Sequence, residues 1–228
     1  MNFIFIILTF LISAVIARIL IPRILLISLR KKLFDIPDDR KIHKRAIPRL
    51  GGVSFFPTTL FAFCLVYAFR LLDGNSISTL YASYLLPELL LFACGMTLLY
   101  LTGIADDLVG VRYRQKFAIQ IFCACLFPLS GLWINDLYGL FGIHELSAYV
   151  GIPFTVLTVV FITNAINLID GIDGLASGLS SVALLVFTFL FISKGLWSYA
   201  MLSAGTFGVL VPFFYYNVFG SVERARKI

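Results

Sequence analysis

Two stretches of this 228-residue chain hold the side chains that could do chemistry, and each sits at the end of a long apolar run. The first closes on Asp106 and Asp107, in T-G-I-A-D-D. Adjacent carboxylates at a membrane boundary repel each other and are costly where water is scarce. Such a pair can hold a divalent cation, or one member can act as a base while the other tunes it. A solvated helix terminus is the plainer alternative, but acidic groups at a helix C-terminus oppose its dipole and call for positive charge nearby. The second stretch, N-A-I-N-L-I-D-G-I-D-G-L over 164–175, repeats amides and carboxylates every third residue. Three residues turn an α-helix by about 300°, so Asn164, Asn167 and Asp170 stay within about a third of its circumference. Gly171 and Gly174 then let the backbone leave the helix, so that Asp173 is redirected.

Cations lie in two further stretches. The segment 39–52, D-R-K-I-H-K-R-A-I-P-R-L-G-G, carries His43, Arg45 and Arg49. Pro37 and Pro48 stiffen this loop, and Gly51-Gly52 lets backbone approach a ligand closely. Stiff, cationic and ended by glycines, the loop would cradle phosphates. His43 is equally a solvated loop histidine, and the charges at 30–32 fit ordinary attraction to anionic lipid headgroups. Arg112, Arg114 and Lys116 follow the Asp pair, and Lys116 and Gln120, four apart, share a helix face. These cations either neutralise phosphate or anchor a helix by snorkelling. Lys116 is the stronger phosphate candidate because it enters the span. Asp136, His144 and Glu145 read as solvated loop residues.

The elements that must position these groups are membrane helices. Hydrophobic residues make up 60% of the chain and charged residues 13%, against about 45–50% and about 25% in ordinary soluble domains. The expected fold is all-α, a polytopic transmembrane bundle of about seven spans, forming a single integral-membrane domain over 1–228. Spans are expected near 3–23 (with Pro22 bending a continuation to 29), 51–71, 84–105, 117–134, 149–166, 179–193 and 196–217. No positive segment precedes the first apolar run, so it reads as a transmembrane helix with its N-terminus outside rather than a cleaved signal peptide. The four cysteines all fall in apolar runs and read as small buried hydrophobes. Cys123-x-Cys125 lacks partners for zinc.

If the spans alternate, fourteen Lys and Arg fall on one side of the membrane, in the loops around 30–50 and 106–116 and in the tail, against Arg70 and Lys194 on the other. That asymmetry marks the first side as cytoplasmic. It places 106–107, 164–175 and the 39–52 loop on that side. Carboxylates there point to Mg2+, the cations to phosphates, and the lipid boundary to a lipid-borne substrate. The residues alone therefore lead to phosphoryl transfer between a nucleotide-type donor and a membrane lipid. Nucleic acid is not an expected partner, because the net charge of +6 is explained by topology.

In order and topology, D-D-R-K-I-H-K-R-A-I-P-R-L-G-G, G-I-A-D-D and N-A-I-N-L-I-D-G-I-D-G-L resemble the polyprenyl-phosphate N-acetylhexosamine-1-phosphate transferases. This family includes the phospho-MurNAc-pentapeptide translocase and the enzyme that starts enterobacterial common antigen and O-antigen lipids. The resemblance runs from about residue 35 to the end of the chain, and the three motifs together are specific. It implies a bacterial inner-membrane enzyme with its active site facing the cytoplasm. The implied reaction takes a UDP-HexNAc, most closely UDP-GlcNAc, and undecaprenyl phosphate to the lipid-linked diphosphate sugar and UMP. The implied metal is Mg2+, with Mn2+ as an alternative. Asp106 would deprotonate or orient the lipid phosphate, with Asp107 supporting it. Asn167 and Asp170 would bind metal or diphosphate. Gly171, Ile172 and Asp173 would meet the uracil, with Asn164 beside them. Lys116, His43, Arg45 and Arg49 would contact phosphate. A homodimer is an open arrangement.

The family pattern continues beyond an N-V-F-G-x-x-x-x-R-K-I stretch into a Gly-Asp-x-Gly-Ser motif and a histidine-rich loop, whereas this sequence stops at Ile228. A C-terminally truncated chain is therefore expected, and full turnover by these 228 residues alone would refute that expectation. Phospho-MurNAc-pentapeptide transfer is the alternative within the family. A lipid-linked transporter would instead line a path through the bundle with polar residues. CDP-alcohol phosphotransferase and UbiA-type patterns are absent.

Overall fold

In the computed structural model, residues 2–31, 34–35, 47–48, 51–72 and 76–219 are described. Their seven α-helices are α1 (Asn2–Arg30), α2 (Phe55–Leu72), α3 (Ser76–Val109), α4 (Tyr113–Leu129), α5 (Ala148–Ile169), α6 (Leu175–Ser193) and α7 (Trp197–Phe219). A two-residue antiparallel pairing joins β1 (Phe34–Asp35) to β2 (Ile47–Pro48), and a short 3-10 turn, Gly51–Ser54, leads into α2. Six helices are long and apolar enough to cross a membrane. The other, α4, has 17 residues, about 26 Å at 1.5 Å per residue, against a hydrocarbon core of about 30 Å. It also starts earlier than expected, at Tyr113, and stops at Leu129, where Gly131 at φ +90° follows the Ser130 cap. Helix α1 runs unbroken through Pro22. Of the four cysteines, only Cys123 is fully buried, and Cys64 and Cys94 are exposed. An apolar side chain in a membrane helix need not seek the interior, because lipid solvates it as well as protein does.

The chain forms two compact units. One comprises Met1–Gly74 and Asn167–Ile228, the other Asn75–Ile166.

In the first unit α1 and α7 pack along their length through small residues. Thr9, Ser13, Ala17 and Ile21 recur at a spacing of four and are all buried, so they form one stripe on α1. Opposite lie Gly205 and Gly208. A Cβ at 208 would overlap Ser13 Oγ and come within 2.5 Å of the Phe10 carbonyl oxygen, and one at 205 would reach Thr9 Cγ2 at 3.0 Å. Small residues allow this approach, and dispersion across it holds the pair where lipid removes any hydrophobic gain. The hydroxyls of Thr9 and Ser13 donate to Phe5 and Phe10 carbonyls of their own helix.

Contacts along these helices fix their directions. Phe3 meets Trp197, Phe10 meets Phe207 and the Arg18 guanidinium lies over the Tyr215 ring, so α1 and α7 are parallel. Phe55 meets Phe213, and Arg70 Nη1 donates to Ser198 Oγ at 3.3 Å, so α2 is antiparallel to α7. Phe191 meets Tyr199, and Ser203 Oγ donates to the Leu184 carbonyl at 2.8 Å, so α6 is antiparallel to α7 as well.

The second unit holds α3, α4 and most of α5. Cys123 Sγ of α4 donates to the Gly95 carbonyl of α3 at 3.4 Å. At the far end of α4, Thr155 Oγ1 accepts the Ile134 N–H at 2.8 Å and donates to the Gly151 carbonyl at 2.7 Å. Gly151 is required there, since a Cβ would lie 2.5 Å from the Ile134 carbonyl oxygen.

Candidate functional site

Within the second unit, α3 runs on to Val109 and carries Asp106 and Asp107 in its closing turns. Gly110, at φ +75°, then breaks the helix and donates its N–H to the Asp106 carbonyl at 3.0 Å. The Asp106 carboxylate is engaged on both oxygens. Oδ1 accepts the Val111 N–H at 3.0 Å, and Oδ2 accepts Lys116 Nζ at 2.5 Å. Lys116 thus supplies the positive charge that an acidic helix C-terminus calls for. The pair is partly open to solvent, with side-chain exposures of 38% for Lys116 and 35% for Asp106. Asp107 is half-buried.

One turn along the same face of α4, Gln120 Oε1 accepts an Asn164 Nδ2 hydrogen at 2.9 Å, and Asn164 Nδ2 also donates to the Val160 carbonyl at 2.8 Å. The i, i+4 spacing therefore makes α4 a polar ladder, with Lys116 reaching α3 and Gln120 reaching α5. Asn164, expected to face a nucleotide, commits its amide nitrogen inside the unit. Beyond Gln120 the space between α3, α4 and α5 is a mainly apolar cleft lined by Phe92, Met96, Leu99, Cys123, Phe127 and Val159 among others.

In the first unit, α5 ends at Ile169, and the chain turns through 170–174 into α6. The turn is tied by Ile172 N–H to the Ile169 carbonyl at 3.3 Å and by Leu175 N–H to the Ile172 carbonyl at 3.0 Å. Asn167, Asp170, Ile172 and Asp173 are exposed, and Gly171 is half-buried. Of the two glycines expected to redirect the backbone, Gly174 takes a positive φ, +77°, and Gly171 does not. Gly174 is needed for two reasons. Its conformation disfavours a side chain, and a Cβ there would collide with Val218 Cγ2 and lie 3.2 Å from Phe214 Cε2. Its N–H donates to Asn217 Oδ1 of α7. In the sequence Asn217 reads only as a span end; the signal for its role is an amide closing an otherwise apolar, aromatic helix.

Of the cationic loop, His43, Arg45 and Arg49 lie outside the described residues. Its glycines divide in role. Gly51 packs on the Phe213 ring, where a Cβ would meet Cε2 at 3.4 Å, whereas Gly52 has open space around it. Among the described residues, no three His, Cys, Asp or Glu side chains cluster as a metal site. Asn167 and Asp170 offer exposed amide and carboxylate oxygens one helical turn apart. That hard donor set suits Mg2+, which keeps several waters and binds through one or two carboxylates and substrate phosphates.

These features define a polytopic α-helical membrane protein with polar groups gathered at helix ends. The chain belongs to glycosyl transferase family 4, whose model matches residues 89–222. It is 29% identical over 213 residues to a probable undecaprenyl-phosphate N-acetylglucosaminyl 1-phosphate transferase of Bacillus subtilis, covering 93% of this chain and 55% of that protein. With the undecaprenyl-phosphate alpha-N-acetylglucosaminyl 1-phosphate transferase of Yersinia pestis it shares 28% identity over 204 residues, 89% of this chain and 51% of the relative. A phospho-N-acetylmuramoyl-pentapeptide-transferase of Staphylococcus carnosus is 29% identical, with coverages of 93% and 65%. The chain thus spans about half to two-thirds of the length of these relatives.

Proposed function

We propose that this chain carries the nucleotide-side part of a membrane transferase that moves HexNAc-1-phosphate, first of all GlcNAc-1-phosphate, from a UDP-sugar to undecaprenyl phosphate. A lipid phosphate oxygen would bond to the sugar-bearing phosphorus, the diphosphate bridge would break, and UMP would leave. The observation that carries this reading is the α4 ladder, in which Lys116 is held by Asp106 and Gln120 by Asn164. An ammonium fixed by a carboxylate at a membrane boundary is a preorganised phosphate partner and needs little reorganisation when charge develops. With both oxygens engaged, Asp106 would orient Lys116 and the lipid phosphate rather than remove a proton, and Asp107 would support it. Asn167 and Asp170 would hold Mg2+, which when bound neutralises diphosphate charge. Gly171, Ile172 and Asp173 would present the turn to the uracil.

Charge asymmetry supports a cytoplasmic side for these groups: with alternating spans, fourteen Lys and Arg would fall in the loops around 30–50 and 106–116 and in the tail, against Arg70 and Lys194 on the other side.

The test is UMP release and lipid-linked sugar formation from UDP-GlcNAc and undecaprenyl phosphate, with Mg2+, in membranes containing the protein. Asp106→Asn retains an acceptor for the Val111 N–H but removes the charge facing Lys116. It should lower turnover by about 100-fold or more with membrane insertion unchanged, and undiminished release sinks the role. The Staphylococcus carnosus relative motivates a second donor in the same assay, UDP-MurNAc-pentapeptide; preference for it would move the chain to the other branch.

A further inference from the structure

Nothing in the reaction proposed above uses the last two turns of α7, yet that segment determines the shape of the 170–174 turn. Three contacts meet there. Asn217 Oδ1 accepts the Gly174 N–H. The Gly174 Cα faces Val218 Cγ2 and the Phe214 ring with no room for a side chain. Phe214 also lies against Gly178, one turn into α6, where a Cβ would find its Cε2 at 3.3 Å. Gly174 is itself buried, while its neighbours Ile172 and Asp173 are exposed. The turn thus has a fixed root and a presented tip.

We infer that Asn217 is a positioning residue, which acts through the Gly174 N–H, with Val218 and Phe214 as its packing support, to hold the D-G-I-D-G turn in the shape that receives the nucleotide. The physical reason is local. Gly174 sits in the left-handed region and closes a five-residue turn that contains a second glycine, so the backbone there is entropically free in the absence of a tether. The N–H at an α6 N-terminus has no partner within its own helix. An amide oxygen from α7 satisfies it and removes the alternative conformations. Asn217 is suited to this because it reaches the turn from the C-terminal end of a helix whose own backbone is already fixed by α1.

The inference deepens the proposed reaction and rests on it for its functional consequence, but the tether can be read without turnover. Hydrogen exchange of the 168–176 backbone, in the full chain reconstituted in nanodiscs, reports the Gly174 N–H directly. Asn217→Ala removes the acceptor and should speed exchange there by about tenfold, while Asn217→Asp keeps an acceptor oxygen and should keep the protection. Gly174→Ala breaks the same contact from the other side and should give the same acceleration, which covers an Asn217→Ala chain that fails to insert. Unchanged exchange in both deletions, or full loss of protection in Asn217→Asp, overturns the tether. In the transferase assay, Asn217→Ala should raise KM for the UDP-sugar about tenfold with kcat changed far less. Turnover lost in Asn217→Asp with protection intact would assign Asn217 to the ligand itself and overturn the positioning role. If the wild-type chain shows no turnover while exchange behaves as expected, the reaction fails and the tether stands.

Discussion

The α1–α7 contact and the α3–α4–α5 assembly are held by opposite means. The apolar spans of α1 and α7 are more deeply buried within the protein than those of α3 and α5. The first pair closes through Thr9, Ser13, Gly205 and Gly208, with backbones close enough that no Cβ fits at 208. The second group is looser, leaves an apolar cleft, and is joined at one end by the Asp106–Lys116 and Asn164–Gln120 pairs. Steric packing suits a frame that never changes. Polar pairs suit helix ends proposed to meet phosphate, since such groups can exchange partners with an anion at modest cost.

This contrast can be broken by substitution, and the expected effects on stability descend in a fixed order. Gly208→Ala should be the most harmful, because the new methyl must displace Ser13 and the Phe10 backbone; overpacking of this kind costs about 1–3 kcal/mol, measured as thermal unfolding in detergent. Gln120→Leu leaves one Asn164 donor bond, to Val160, and should cost about 1 kcal/mol. Gln120→Glu keeps an oxygen acceptor and should recover most of that loss. Lys116→Met removes a partly exposed pair and should change stability by less than about 1 kcal/mol, yet lower UMP release by about 100-fold. A stability loss matching the activity loss would make Lys116 a structural residue only. Gly95→Ala should be nearly neutral, since its Cβ would meet the mobile end of Leu126 at 3.3 Å. If Gly95→Ala and Gly208→Ala unfold alike, the two regions do not differ in the way described.

Much of the fold was legible because spans are written in composition. Runs of apolar residues broken by charges located all seven helices, with boundaries off by at most five residues except at the start of α3, which begins at Ser76 rather than near 84. Helix α5 extends to Ile169, three residues past its expected end, so that Asn167 is helical; α6 begins at Leu175 rather than near 179. The second shift follows from Gly174, whose positive φ at the α6 N-cap sets the start of that helix. The site was legible in part. The shared face of Lys116 and Gln120 followed from their spacing, but the partners of that face did not, because Asp106 and Asn164 come from other helices.

By itself, the sequence determined that this is a helical membrane protein whose acidic, amide and cationic residues cluster at helix ends, since hydropathy, charge asymmetry and i, i+4 spacing are local properties. Only the tertiary structure decided that Asp106 and Lys116 are an ion pair and that Asn164 bonds to α4. It also decided that Asn217 and Val218 secure the turn after α5. Those contacts join residues 10, 44 and 43 positions apart in Lys116–Asp106, Asn164–Gln120 and Gly174–Asn217 respectively. Which helices come close enough to form them depends on small residues at the crossings and on helix direction, and neither can be read from one helix at a time.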